Sequence, residues 1–217
     1  MEIRILQEQE FIHAAGLARF VFDNCLRYRM QFPQTIPYVE NYLQEENLKR
    51  MCVEGKLTIW GVFEQKMGID ETNVSINKAS INKDGQIYRE ELVGVSALQS
   101  DGMITMLYIL PQFQRKRYGA MLISAMKQYA KQTYAIEQIT VNANPAWTYM
   151  YFAKHGFSVV GNQTEIHKPF IFMQGNTNDA FLYQKKTLSG KTIVLAVVSC
   201  FLFATIAGSI FMIGYLF

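Results

Sequence analysis

The spacing of apolar positions changes several times along the chain, and each change marks an element. Residues 2 to 6, EIRIL, alternate as a short strand does. From Glu8 to Arg29 the pattern turns helical, with Phe11, Ala14, Ala15, Ala18, Val21, Phe22, Cys25 and Leu26 recurring at steps of three and four. Pro33 and Pro37 separate this helix from a second one, predicted over 38–54. KLTIWGVFEQ (56–65) is rich in β-branched and aromatic residues and predicts a strand. A polar stretch over 66–86, with the tandem SINK-A-SINK from Ser75 to Lys83, predicts a mobile hairpin loop or insertion without chemistry of its own.

EELVGVSALQ and GMITMLYIL predict two strands joined by the turn Ser100-Asp101-Gly102. A helix follows from Tyr118 to Gln132, with Met121, Leu122, Ala125, Met126 and Tyr129 on one face. Then come the strand IEQITVNAN and a short helix from Pro145 to Lys154 that ends at Gly156. FSVVGN and AFLYQKK are expected as closing strands, and TEIHKPFIFMQGN between them as a late loop. The order β-α-α-β-β-β-α-β-α-β-β describes a mixed sheet with helices packed against it, an α/β or α+β domain.

The apolar pattern ends in a different regime. Thr192 to Phe217 carries no charged residue in 26 positions. As a helix this segment is roughly 39 Å long at about 1.5 Å per residue, enough to span a hydrocarbon core of about 30 Å with some tilt. Lys185, Lys186 and Lys191 flank it on one side, and Lys-rich flanks stay cytoplasmic. The expected organisation is a cytoplasmic domain over 1–187, a linker over 188–191, and a single-pass transmembrane helix over 192–217. Over the 217 residues hydrophobic side chains make up 50% and charged ones 18%, and much of that excess sits in the tail. The three cysteines, Cys25, Cys52 and Cys200, form neither a metal spacing nor a disulfide framework, which fits a reducing compartment.

Candidate chemistry concentrates in QRKRYGAML, 114–122. A strand running into a helix N-terminus leaves first-turn amides without intrahelical partners, and the helix dipole adds about half a positive charge there. Gly119 lets a ligand approach the backbone, and Arg115, Lys116 and Arg117 add charge. A diphosphate is the natural guest. The glycine-rich run of a nucleotide P-loop is absent, as is a dinucleotide G-x-G-x-x-G. Nucleic acid is excluded as a partner, since one four-residue cluster and a net charge of +3 are too small a footprint.

LYILPQFQRKRYGAMLISAMKQYA resembles the acetyl-CoA signature of the GNAT superfamily of N-acetyltransferases: a strand, Pro, then Gln/Arg-x-x-Gly-x-Gly/Ala opening a helix. VNANPAWTYMYFAKHGF (141–157) is similar to the late strand and helix of the same superfamily, in matching order and spacing. The resemblance covers 1–187 and implies a GNAT-like mixed sheet that takes acetyl-CoA as cofactor. It implies that Leu107, Tyr108 and Ile109 run beside the pantetheine arm. The backbone from Arg115 through Lys116, Arg117, Tyr118 and Gly119 to Ala120 would hold the diphosphate, and Asn142 or Asn144 would lie near the thioester.

Two departures stand out. Arg117 occupies the first glycine position of the motif, and Phe152 the position of the tyrosine that commonly protonates the departing thiolate. Neighbouring residues of a helix point about 100° apart, so Tyr151 substitutes only if the helix is rotated, whereas Tyr149 shares the face of Phe152. Tyr149 and Tyr151 are the candidate acids. No general base is assigned: Glu90, Glu91 and Asp101 lie on the middle hairpin, and His13, His155 and His167 read as surface or packed histidines. The acceptor pocket is expected from RYRMQFPQTIPYVENY, with Arg27, Arg29, Phe32, Tyr38 and Tyr42, together with the late loop. The expected activity is transfer of an acetyl group from acetyl-CoA to a primary amine of a small molecule, peptide or protein. The alternative is a non-catalytic, membrane-tethered acyl-CoA-binding sensor or docking module. The small residues Ala207, Gly208, Ser209 and Gly214 also allow a homodimer through the tail.

Overall fold

In the computed structural model, residues 1–30, 33–67, 79–81, 87–160 and 171–179 are described, all within the compact unit Met1–Phe181. The strands are β1 (Glu2–Ile5), β2 (Leu57–Met67), β3 (Ala79–Ile81), β4 (Ile87–Gln99), β5 (Met103–Ile109), β6 (Gln138–Ala143), β7 (Phe157–Val159) and β8 (Ile171–Asn176). They form one sheet in the order β1-β2-β4-β5-β6-β8-β7, with β3 paired separately to β4. Every pairing is antiparallel except β5 with β6. The helices are α1 (Phe11–Val21), α2 (Ile36–Tyr42), α3 (Glu45–Val53), α4 (Tyr118–Tyr134) and α5 (Tyr149–Ala153).

Two hydrophobic layers sandwich the sheet. On one face α1 brings Phe11, Ala14, Ala18 and Val21 onto Ile59, Phe63, Val95, Ala97 and Met106. On the opposite face α4 brings Leu122, Ile123, Met126 and Ala130 onto Trp60, Val62, Leu98, Ile104, Ile139 and Val141. The period-2 alternation of the strands delivers apolar residues to both layers, and the i, i+3, i+4 stripe of each helix covers one of them.

Several expectations are corrected. The first helix does not keep one winding: past Val21 it widens to a π-helical segment, Phe22–Leu26, and tightens to a 3-10 turn, Arg27–Arg29. There Asn24 Nδ2 takes the Phe20 carbonyl at 2.8 Å, a side-chain competitor for the backbone ladder. The single helix expected over 38–54 is two, α2 and α3, broken where Gln44 is extended. Leu43 and Leu48 are both buried. Five residues apart they would point about 140° away from each other on a continuous helix, and the break lets both face the core. The polar stretch 66–86 contains β3, whose three residues oppose Ile87 to Arg89.

The late loop is corrected too. Ile171–Asn176 is a strand inserted between β6 and β7, held on both sides by ladder bonds. AFLYQKK, the domain boundary at 187, the linker 188–191 and the apolar segment 192–217 lie outside the described residues. Among the described residues no helix is long and apolar enough to cross a membrane.

Candidate active site

The sheet opens between β5 and β6. Only Met103 with Thr140 and Ile104 with Val141 are paired, and beyond them the edge of β5 has no strand partner among the described residues. On its other edge, Leu98 opposes Ile104 while Ala97 opposes Met106, so Thr105 is an extra residue, a β-bulge. A bulge bends its strand, and this one sits where β5 parts from β6. The Tyr42 hydroxyl holds Thr105 Oγ1 at 2.5 Å, which ties the bulge to α2. Burial, relieved in part by this bond, pushes the Tyr42 hydroxyl up to about 12. Burial, with a smaller contribution from Tyr42, also raises Tyr108 well above the ordinary tyrosine range.

A cleft of about 730 Å³ fills the opening. Its walls include Thr105 to Ile109 of β5, Val141, Asn142 and Asn144 from β6 and just past it, the turn into α4, and Trp147, Thr148, Tyr151, Phe152 and His155 around α5. Val21, Asn24, Cys25, Leu26 and Arg29 close it from the side of α1. Since α1 and α4 cover opposite faces of the sheet, the cleft runs through the sheet from one layer to the other.

At the α4 end the chain makes a strained turn. Arg115 and Arg117 both have left-handed backbone, φ 64° and 67°. That costs a non-glycine residue about 1–2 kcal/mol, and it gives a physical reason for glycine at the Arg117 position of the motif. Gln114 Nε2 bonds the Ile109 carbonyl at 3.1 Å and ties the turn back to β5. Arg117 is the N-cap of α4 without a side-chain capping bond to the helix, and the Arg117 carbonyl accepts from Met121 N–H at 3.1 Å. The amides of Tyr118, Gly119 and Ala120 therefore precede the first intrahelical bond and are oriented for an anion.

The three cations part company here. Arg115 and Arg117 line the cleft. Lys116 instead turns to Glu64 of β2 at 3.1 Å and over the Phe113 ring at 4.7 Å. The Tyr118 hydroxyl also donates to Glu64. Of the residues expected to bind cofactor, Leu107, Tyr108, Ile109, Arg115, Arg117, Tyr118, Gly119, Ala120, Asn142 and Asn144 are brought together, and Lys116 is not.

Phe152 is buried against Phe157, ring centroids 5.6 Å apart. That fixes the rotation of α5, and Tyr151 rather than Tyr149 faces the cleft. The Tyr151 hydroxyl rests on Gly119: a Cβ added there would stand 2.2 Å from it. The residue is 38% exposed, but its hydroxyl end lies inward, and burial of that end pushes its pKa up to about 12.

His155, which the sequence reads as a surface or packed histidine, lines the cleft with its ring 4.7 Å from that of Tyr151. Burial first, then the Lys127 and Lys154 ammoniums, hold it below its ordinary pKa, so it is neutral at pH 7. Lys127 is fully buried and donates to the His155 carbonyl at 3.1 Å, which anchors the end of α5 to α4. Nothing in the sequence pattern around His155 signals this.

Of the acceptor-side candidates, Arg29 lines the cleft and Tyr42 acts through Thr105, whereas Arg27 and Tyr38 stand outside the lining. Glu90, Glu91, Asp101 and His13 do not line it either; Asp101 accepts from Met103 N–H at 3.0 Å and holds the hairpin turn. Phe32 and His167 lie outside the described residues. Cys25 and Cys52 are free thiols, and no cluster of metal-ligating side chains exists among the described residues.

The site suits an extended ligand with an anionic end. Asn142 Oδ1 is buried in the cleft wall without a hydrogen-bond partner among the described residues. The Tyr151 hydroxyl likewise has none among the described residues. Together with the bare amides at α4, these are polar groups that a bound diphosphate and amide chain would satisfy.

Residues 70–173 match the family model for the acetyltransferase (GNAT) domain. No curated protein matches the chain by sequence. Among solved structures, the PaiA N-acetyltransferase of Thermoplasma acidophilum, in complex with coenzyme A, aligns with a TM-score of 0.54 at 16% identity, over 81% of this chain and 99% of its own. The GCN5-related N-acetyltransferase of Rhodopseudomonas palustris gives 0.53 at 16% identity, over 81% and 94%. A GNAT-family acetyltransferase of Staphylococcus aureus Mu50 gives 0.52 at 12% identity, over 81% and 98%. At such identities the likeness establishes the fold, a mixed sheet flanked by helices as in GNAT acetyltransferases; the match to the acetyltransferase (GNAT) domain model over residues 70–173 points to acyl transfer from acetyl-CoA.

Proposed function

We propose that the protein moves an acetyl group from acetyl-CoA to a primary amine while residues 192–217 tether it to a membrane, with the domain on the cytoplasmic side. The observation that carries the reading is the cleft through the sheet, with left-handed Arg115 and Arg117 and the open amides of α4 at one end. Those amides and guanidiniums balance the diphosphate charge. The unpaired edge of β5 past Ile104 aligns an extended chain as a neighbouring strand would. Asn142 Oδ1 accepts a hydrogen bond from it. Bound acetyl-CoA supplies the activated thioester. Tyr151 keeps its proton throughout the physiological range, and its hydroxyl, resting on Gly119, is placed to donate a hydrogen bond to a ligand at the diphosphate end of the cleft. Neutral His155 is the one imidazole in the described lining and packs edge-on against the Tyr151 ring. Holding amine and thioester side by side supplies much of the acceleration, which suits a site where Phe152 carries no hydroxyl.

The test is release of free thiol from acetyl-CoA by the purified full chain, over a panel of primary amines. Turnover with at least one amine is expected. Tight binding of acetyl-CoA without turnover on any amine would overturn the transferase in favour of a sensor, a reading that buried Phe152 keeps in view. The tether is supported by 26 successive uncharged positions. A chain ending at residue 187 should appear in the soluble fraction and retain acetyl-CoA binding, while the full chain sediments with membranes. Equal partitioning of the two would overturn the tether.

A further inference from the structure

The cleft lining has a charge imbalance. Among the described residues it contains Arg29, Arg115, Arg117 and neutral His155, and no carboxylate. Arg115 and Arg117 stand on the α4 side of the sheet, where the diphosphate is expected. Arg29 stands on the α1 side, at the far end of the passage.

The surroundings of Arg29 sharpen the point. Two other arginines of the same segment are consumed by carboxylates. Asp23 accepts from Arg19 Nε at 2.7 Å and from Arg27 Nη1 at 3.0 Å. Glu40 accepts from Arg19 Nη2 at 2.9 Å and from Arg27 Nη1 at 2.5 Å. These two acids are thereby neutralised. Arg29 has no ion pair among the described residues, is exposed, and faces the cleft. Asn24 and Leu26, from the π-helical segment, line the cleft with it.

Resting on the acetyl-transfer reading above, we propose that the acceptor is an amine that also carries a carboxylate, and that Arg29 binds this carboxylate. A polyamine entering from the α1 side would meet a guanidinium and, among the described lining residues, no carboxylate. An amino-acid-like acceptor meets the reverse: a fork of donors that matches a carboxylate in two parallel hydrogen bonds. Carboxylate capture by Arg29 also sets direction, since it places the charged group toward α1 and leaves the amine to extend toward β5. Arg29 is a specificity-determining residue in this scheme and takes no part in bond making.

The experiment measures product-side binding, so it does not depend on turnover. N-acetyl amino acids, their carboxamides, and N-acetylspermidine are titrated calorimetrically into the full chain in detergent micelles, with and without saturating coenzyme A. At least one free carboxylate should bind about ten- to a hundredfold more tightly than its own carboxamide, the usual worth of a charge-assisted bond. Arg29→Ala should erase that preference and leave coenzyme A affinity unchanged. The inference is overturned if carboxamides bind as tightly as carboxylates, if Arg29→Ala keeps the preference, or if N-acetylspermidine binds tightest. Failure of coenzyme A itself to bind would instead sink the transferase reading, and the series without coenzyme A would still decide the role of Arg29.

Discussion

Replacing Gly119 with alanine tests the packing between α4 and α5 directly. The new Cβ would lie 2.2 Å from the Tyr151 hydroxyl oxygen, 3.2 Å from Cζ and 3.8 Å from Cε1. Comfortable contact between such atoms begins near about 3.5 Å, so the oxygen must retreat by roughly 1.3 Å. The ring cannot pivot freely, because its neighbour Phe152 is locked against Phe157. Overpacking of this kind costs about 1–3 kcal/mol. Against it, alanine is favoured over glycine in a helix by up to about 1 kcal/mol, less in a first turn. Gly119→Ala should therefore destabilise the chain by about 1–2 kcal/mol. Tyr151→Phe removes the clashing oxygen and breaks no hydrogen bond with a described residue, so alone it should be close to neutral. In that background Gly119→Ala should be neutral or stabilising. Urea unfolding of the four chains gives the coupling energy, expected at about 1–3 kcal/mol. If Gly119→Ala has the same effect in both backgrounds, the hydroxyl does not rest on Gly119 and the assigned orientation of α5 is wrong.

Arg115→Glu should weaken coenzyme A binding about ten- to a hundredfold by calorimetry, because it removes a charge-assisted contact and adds repulsion; an unchanged dissociation constant would remove Arg115 from the diphosphate site. Because burial, Lys127 and Lys154 depress His155 in the folded chain, the unfolded chain binds that proton more tightly. Its contribution to stability is thus complete above about pH 6.5 and shrinks as pH falls through and below that value. His155→Gln should flatten part of the loss in urea midpoint between pH 7.5 and 5, leaving the share due to His13, which burial also depresses; an unaltered slope would refute the assignment.

Most of what was legible in the sequence is local. The hairpin β4–β5, its Gly102 turn, the strand-Pro-helix passage into α4 and the Gly156 end of α5 each depend on neighbours within a few positions. What was not legible depends on partners far along the chain. The IFMQGN strand is recognisable only by its two pairings, with Gln138–Ala143 and with Phe157–Val159. Alternation by itself did not separate it from a loop. Whether Tyr149 or Tyr151 faces the cleft is a matter of helix rotation, and that is set by the burial of Phe152 rather than by the spacing of tyrosines. Three cations in a row gave no hint that the middle one would be spent on Glu64, 52 positions earlier.

The same logic explains why a modest net charge yields a cleft that is so one-sided. A cation paired with a protein carboxylate has little left to offer a ligand, and one facing an open cleft keeps its full field while remaining solvated until a ligand arrives. Lys116, Arg19 and Arg27 belong to the first kind, held by Glu64, Asp23 and Glu40. Arg29 and Arg115 belong to the second in facing the cleft. The passage through the sheet thus presents cations at both ends and, between them, an unpaired strand edge and the carboxamide of Asn142. A ligand pair with negative charge at each outer end and neutral, hydrogen-bonding atoms in the middle is the electrostatic complement. Coenzyme A with its diphosphate at α4, meeting a carboxylated amine from the side of α1, has that distribution; coenzyme A meeting a polyamine does not.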